Sequence, residues 1–77
     1  MMSQDYYGSD NEYRMEVYYS DYNRHWVARL FAIIGCEGRG EVYLDTITDR
    51  TKHEVMASGA TRIKECLNGM KHHGQIL

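Results

Sequence analysis

The residues in this chain whose types and spacing could do chemistry are few. Gly35–Gly40 reads GCEGRG and contains G-x-x-G-x-G. A phosphate-cradling loop needs its glycines between a strand and the start of a helix, where backbone N–H groups converge on the anion. Here the residues that follow, Glu41–Ile47, read as a strand, so the glycines are those of a hairpin turn. Asp45 and Asp49 lie at a strand end, where carboxylates commonly cap the element that follows. His72 and His73, with His53 or Cys66, are metal-ligand types but lack a fixed ligand spacing. No nucleophile sits in a recognised motif. The expectation is a non-enzyme that holds no cofactor and no metal.

Tyrosine is the stronger signal. Six of the seven tyrosines, Tyr6, Tyr7, Tyr13, Tyr18, Tyr19 and Tyr22, lie among the first 22 residues. A strand has two faces, so Tyr18 and Tyr19 cannot enter the same core. Tyrosine combines a large contact area with a polar tip and is enriched at interfaces. Interleaved with Asp5, Asp10, Glu16 and Asp21, these rings make an acidic aromatic surface suited to a lysine- or arginine-rich protein. Tyr6, Glu16, Tyr19, Asp21 and Tyr22 are the expected partner-binding residues.

The elements that must position them are those of one small domain, residues 1–77. The apolar share is 43% and the formal net charge is -2. That charge hides an asymmetry. Residues 1–22 carry Asp5, Asp10, Glu12, Glu16 and Asp21 against Arg14, whereas residues 50–77 carry Arg50, Lys52, Arg62, Lys64 and Lys71 against Glu54 and Glu65. An acidic third faces a basic partner; a basic third faces phosphate. Cys36 and Cys66 have no CxxC spacing, and Met1–Asp10 lacks the apolar core of a secretory leader, so a reducing cytoplasm is the expected setting. The longest apolar run is far short of a membrane span.

That run, His25–Ile34, places apolar residues on both alternating sets. It reads as a central strand with one face fully covered and the other partly covered. Before it, Tyr13–Tyr19 alternates, with Tyr13, Met15, Val17 and Tyr19 on one face. Ser20–Arg24 between them favours a turn. After it, Glu41–Ile47 reads as a third strand, with Val42 and Leu44 on one face and Glu41, Tyr43 and Asp45 on the other. Residues 1–12 read as a loosely ordered arm able to add a short fourth strand.

Thr51–Met70 reads as helix. Thr51 and Glu54 match a capping box, and Met56, Ala60, Ile63, Leu67 and Met70 recur at helical spacing. Gly59 marks a kink or a break into two short helices, and His72–Leu77 a frayed tail. The expected fold is α+β: a small antiparallel β-meander of three to four strands (13–47), covered on one face by a C-terminal helix or two short helices (51–70). The helix stripe is expected to pack on the face carrying Met15 and Val17. An exposed sheet edge leaves a homodimer open.

Two partner classes compete. A meander followed by a helix is also the layout of the double-stranded-RNA-binding domain and of three-stranded DNA-reading sheets. Phosphate binding rests on clustered positive charge, however, and Arg50-Thr51-Lys52-His53 is a thin cluster. Protein is the favoured partner and nucleic acid the alternative.

The chain also resembles a phage-encoded anti-CRISPR protein of the type I-F class. The resemblance is carried by Tyr6, Met15, Ala28-Arg29, Gly40, Asp45-Thr46 and the run Gly59-Ala60-Thr61-Arg62-Ile63. It implies inhibition without catalysis, in the cytoplasm of an infected bacterium. The inhibitor would bind the repeated backbone subunit of an RNA-guided surveillance complex and block pairing of target DNA with the guide. It also implies two antiparallel helices on the sheet. The family's contacts use an arm tyrosine, a tyrosine ending the first strand and a glutamate on the central strand. Tyr6 matches the first. The second falls at Ser20 beside Tyr19, and the third at Phe31, which is not acidic. Phage inhibitors of other host machinery, such as RNA polymerase, share this size and style.

Overall fold

The protein is seen in a computed structural model that describes residues 3–8, 11–34 and 40–76, with side chains described through residue 69. Four strands, β1 (Gln4–Tyr7), β2 (Tyr13–Ser20), β3 (His25–Ile34) and β4 (Gly40–Asp49), precede one helix, α1 (Lys52–Ile76). The strands form one sheet in the order β1-β2-β3-β4, antiparallel throughout. This is the expected α+β meander, in its four-stranded form. The stretch read as a loose arm contributes β1, whose Tyr6 pairs with Met15 and Tyr7 with Arg14. Gln4 and Asp5 disguise it, because a short edge strand needs little apolar character.

The β2–β3 hairpin runs in register from Tyr13↔Ala32 to Ser20↔His25. Its loop closes because Arg24 adopts a left-handed backbone, φ 56°, and its N–H donates to the Ser20 carbonyl at 2.7 Å. Ser20 Oγ also accepts from the Asn23 N–H, at 3.4 Å. Residues 35–39, on which the expected hairpin turn and all of the glycine-rich motif but Gly40 fall, lie outside the described residues.

Between β3 and β4 the register shifts: Leu30 pairs with Asp45 but Phe31 with Tyr43, so Leu44 is the extra residue of a β-bulge. Side chains paired across strands share a face. The bulge therefore corrects the expected alternation in β4. Asp45 joins Val42 and Leu44 on the helix side, and Glu41 and Tyr43 remain on the other.

The core lies between the sheet and α1. Met15, Val17, Ala28, Leu30, Val55 and Ile63 form it, and Tyr6, Tyr13, Trp26, Leu44, Ile47, Met56 and Leu67 pack around them. Leu30, Ile63 and Val55 are fully buried. Each such side chain contributes roughly 1.5–3 kcal/mol of transfer free energy. Met15 and Val17 do face the helix, as expected. The helical stripe differs: its buried line is Val55, Gly59 and Ile63, with Met56, Ala60 and Leu67 at its flanks.

The start of α1 is capped by Thr51, the half of the expected capping box that the structure shows. Thr51 Oγ1 accepts from the Glu54 N–H at 3.1 Å, and the Thr51 carbonyl accepts from the Val55 N–H at 3.0 Å. Of the one-helix and two-helix forms that the sequence leaves open, the structure shows one helix, which runs unbroken through Asn68-Gly69 to Ile76, past the expected stop at Met70. Gly59 serves packing instead. A Cβ there would stand 2.5 Å from Met15 Sδ and 3.3 Å from Leu30 Cδ2. The missing side chain lets the helix backbone sit directly on the sheet.

Candidate interaction surfaces

The five residues expected to bind a partner divide between the two faces of the sheet and the hairpin tip. Tyr6 and Tyr19 lie on the helix side, near the start of α1. Tyr6 is half-buried against the core, and its hydroxyl donates to Gln4 Oε1 at 2.7 Å. Lys52 Nζ donates to the same oxygen at 2.9 Å. That ammonium also stands 5.5 Å from the Tyr6 ring centroid and 5.9 Å from that of Trp26. Such distances give a cation–π attraction. Lys52 thus straps β1 to the helix start. Tyr19 meets Trp26 edge-on, with centroids 5.5 Å apart and planes at 66°. It keeps 37% of its surface exposed.

Asp21 and Tyr22 occupy the β2–β3 loop. Tyr22 is 96% exposed, on a turn held by the Ser20–Arg24 hydrogen bonds. An aromatic ring in water on an ordered turn is a large apolar surface already arranged for contact. Sequence reasoning named Tyr22 but missed Trp26 as the ring that braces Tyr19. The signal was there: a turn at Ser20–Arg24 closes the hairpin with Ser20 opposite His25, which puts Trp26 opposite Tyr19.

Glu16 does not join this group. It points from the face opposite α1, where its Oε1 lies 3.3 Å from Arg29 Nη1 and its Oε2 3.7 Å from Arg14 Nη1. Arg14 organises that face. Its Nε and Nη2 donate to Glu41 Oε2 and Oε1 at 2.7 and 3.0 Å, and its Nη1 donates to Asp5 Oδ1 at 2.9 Å. Its Cζ lies 4.3 Å from the Phe31 ring centroid. The guanidinium therefore links the β1 and β4 edges while covering an aromatic ring between them. The hydrogen bonds that Arg14 donates to Glu41, above all, hold its guanidinium more firmly protonated than an ordinary one. Arg14 in return holds the Glu41 carboxyl below the usual carboxylate range.

On the helix side, Asp45 is also held below that range, first by the Thr46 N–H at 2.8 Å and then by Arg62 Nε at 3.0 Å. Hydrogen bonding to Asp45 raises Arg62 in turn. An open groove beside this pair, between β4 and α1, is lined by Ile47, Ala57, Ser58, Thr61, Arg62 and Glu65.

Among the described residues, no three His, Cys, Asp or Glu side chains are grouped so as to hold a metal ion. The side chains of His72 and His73 lie outside the described residues. No helix among the described residues is long and apolar enough to cross a membrane. The surfaces define a small α+β domain with an aromatic corner and a hairpin-tip tyrosine. No protein-family pattern, curated protein or solved structure matches the chain significantly.

Proposed function

We propose that this chain is a non-catalytic inhibitor that works by binding a host protein complex in the bacterial cytoplasm. In its sharpest form it is a phage anti-CRISPR protein that occupies the backbone subunit of an RNA-guided surveillance complex and blocks target DNA. The observation that carries the protein-binding reading is Tyr22, 96% exposed at the tip of a hydrogen-bonded hairpin. Tyr19 and the acidic Asp21 accompany it in the sequence. A few residues, enriched in tyrosine, tryptophan and arginine, dominate the energy of protein contacts, and acidic neighbours speed the approach of a basic target.

The sharper form rests on the resemblance at Tyr6, Met15, Ala28-Arg29, Gly40, Asp45-Thr46 and Gly59–Ile63. The single unbroken helix departs from the two antiparallel helices that the resemblance implies. Tyr6 has a structural duty as well, since its ring packs on the core beneath Lys52. Contact energy is therefore assigned first to Tyr22 and Tyr19, and Tyr6 is assigned to holding β1 in place.

The test is to add the purified chain to a purified type I-F surveillance complex before its target DNA. The expected result is loss of DNA binding, with the chain retained on the complex. A chain that leaves target binding unchanged defeats the anti-CRISPR reading. A chain that itself shifts double-stranded RNA or DNA in a gel, with steep salt dependence, defeats the protein-partner reading.

A further inference from the structure

The sheet face opposite α1 carries a row that the strand register assembles from all four strands. Tyr7 pairs with Arg14, Arg14 with Phe31, and Phe31 with Tyr43. Cross-strand partners share a face, so these four side chains stand side by side across the full width of the sheet. Sequence inspection does not reveal the row, because the Leu44 bulge sets which β4 residue meets Phe31. The two ends of the row are open: Tyr7 is 57% and Tyr43 54% exposed. The middle is already occupied. Arg14 lies over Phe31, and Tyr43 meets Phe31 edge-on with centroids 5.9 Å apart.

The neighbouring row supplies charge. Asp5 pairs with Glu16, Glu16 with Arg29, and Arg29 with Thr46. With Glu41 beyond the aromatic row, three carboxylates border it. Both nearby guanidinium groups are engaged by those carboxylates. Asp5 and Glu41 keep 45% and 37% of their side chains exposed, so oxygen lone pairs still face solvent.

We propose that this face is a second contact surface, separate from the hairpin tip, and that it takes an arginine- or lysine-bearing segment of a partner protein. Arg14 shows the recognition chemistry within the chain itself. A guanidinium lies over an aromatic ring while carboxylates on either side accept its N–H groups. Tyr7 and Tyr43 offer the same pairing of ring and carboxylate to a cation from outside. Aromatic sheets also stack nucleic-acid bases, but phosphate affinity needs free positive charge. On this face Arg14 is held by Asp5 and Glu41, Arg29 is paired with Glu16 while keeping 47% of its side chain exposed, and three carboxylates stand against two guanidinium groups.

The experiment titrates the intact isotope-labelled chain with an arginine–serine repeat peptide and follows backbone amide shifts by NMR. A glutamate–serine peptide and a single-stranded DNA oligonucleotide serve as comparison ligands. Shifts should centre on Tyr7, Phe31, Tyr43 and Thr46. Tyr7→Leu and Tyr43→Leu should each weaken binding roughly two- to fivefold, the factor matching an exposed cation–π contact. Tyr43→Phe, which keeps the ring face, and Thr61→Ala, an exposed position on α1, should bind as the parent does. Unchanged amide positions at Leu30 and Ile63 verify the fold of each variant. The proposal is overturned if shifts centre on Asp21 and Tyr22 or on α1. It is equally overturned if the leucine variants bind like the parent, or if DNA or the acidic peptide occupies the row instead.

Discussion

The α-carbon of Gly59 faces the sulfur of Met15 so closely that a Cβ on Gly59 would stand 2.5 Å from it. Real side-chain carbons do not tolerate that separation, and Met15, 3% exposed, has little room to withdraw. Leu30 Cδ2 and Ile47 Cδ1 close the remaining space, at 3.3 and 3.5 Å.

Gly59→Ala therefore sets two effects against each other. Alanine improves helix propensity by ~1 kcal/mol. Overpacking a closed core costs about 1–3 kcal/mol. The net expectation is destabilisation of about 1 kcal/mol, read from urea unfolding. In a Met15→Val background, which removes the sulfur, the same substitution should be neutral or stabilising. Destabilisation of equal size in both backgrounds would contradict the packing role.

Burial separates Ile63 from Leu67. Ile63 is fully buried, whereas Leu67 packs at the rim of the core. Ile63→Ala should cost about 2–5 kcal/mol. Leu67→Ala should cost less, because a rim position removes less buried surface and leaves a cavity open to water. Equal shifts in the melting midpoint would refute this placement of the helix.

Much of the fold was legible in the chain because its signals are local. Alternation in Tyr13–Tyr19, the turn residues at Ser20–Arg24 and the Thr51–Glu54 cap each depend on neighbouring residues. The misreadings and the open points arise where distant groups decide. Asp45 changed faces because Leu44 bulges against β3, and alternation counted through a bulge comes out inverted. Gly59 left one helix or two open because its partners, Met15 and Leu30, lie in other elements. β1 was legible only as a strand that the arm could add, because its stability comes from Met15, Lys52 and Arg14 rather than from its own residues. Of the site, the exposed Tyr22 was legible from turn chemistry. The separation of Glu16 from Tyr19 follows from strand alternation, and the ties of Glu16 to Arg14 and Arg29 needed coordinates.

Acid should weaken the fold through two carboxyls. Glu41 and Asp45 both titrate below their ordinary values in the folded chain, held there chiefly by Arg14 and by the Thr46 N–H respectively. A depressed folded pKa means that the stabilisation is present above the unfolded value, about 4. It is then lost as pH falls through the folded value. Both groups are exposed, so the effect is small and shrinks with added salt. The melting midpoint should hold from neutral pH to about 4 and then fall. Glu41→Gln, which cannot ionise, should show a shallower acid decline than the parent. A decline as steep as the parent's would show that the Arg14–Glu41 pair does not contribute to it.

The central claim, contact with a protein through the hairpin-tip aromatic surface, is tested most directly by the alanine series at that surface. Target-DNA binding by the surveillance complex is measured at equilibrium against increasing parent, Tyr22→Ala, Tyr19→Ala and Arg62→Ala, each with its fold verified by circular dichroism. Anchoring aromatics at an interface are worth about 2 kcal/mol or more, so Tyr22→Ala should weaken inhibition by about thirtyfold. Tyr19→Ala should weaken it less, because Trp26 remains in place, and Arg62→Ala should inhibit like the parent. A Tyr22→Ala chain that inhibits as well as the parent, together with an inactive Arg62→Ala chain, would contradict the account and make the basic helix the working surface.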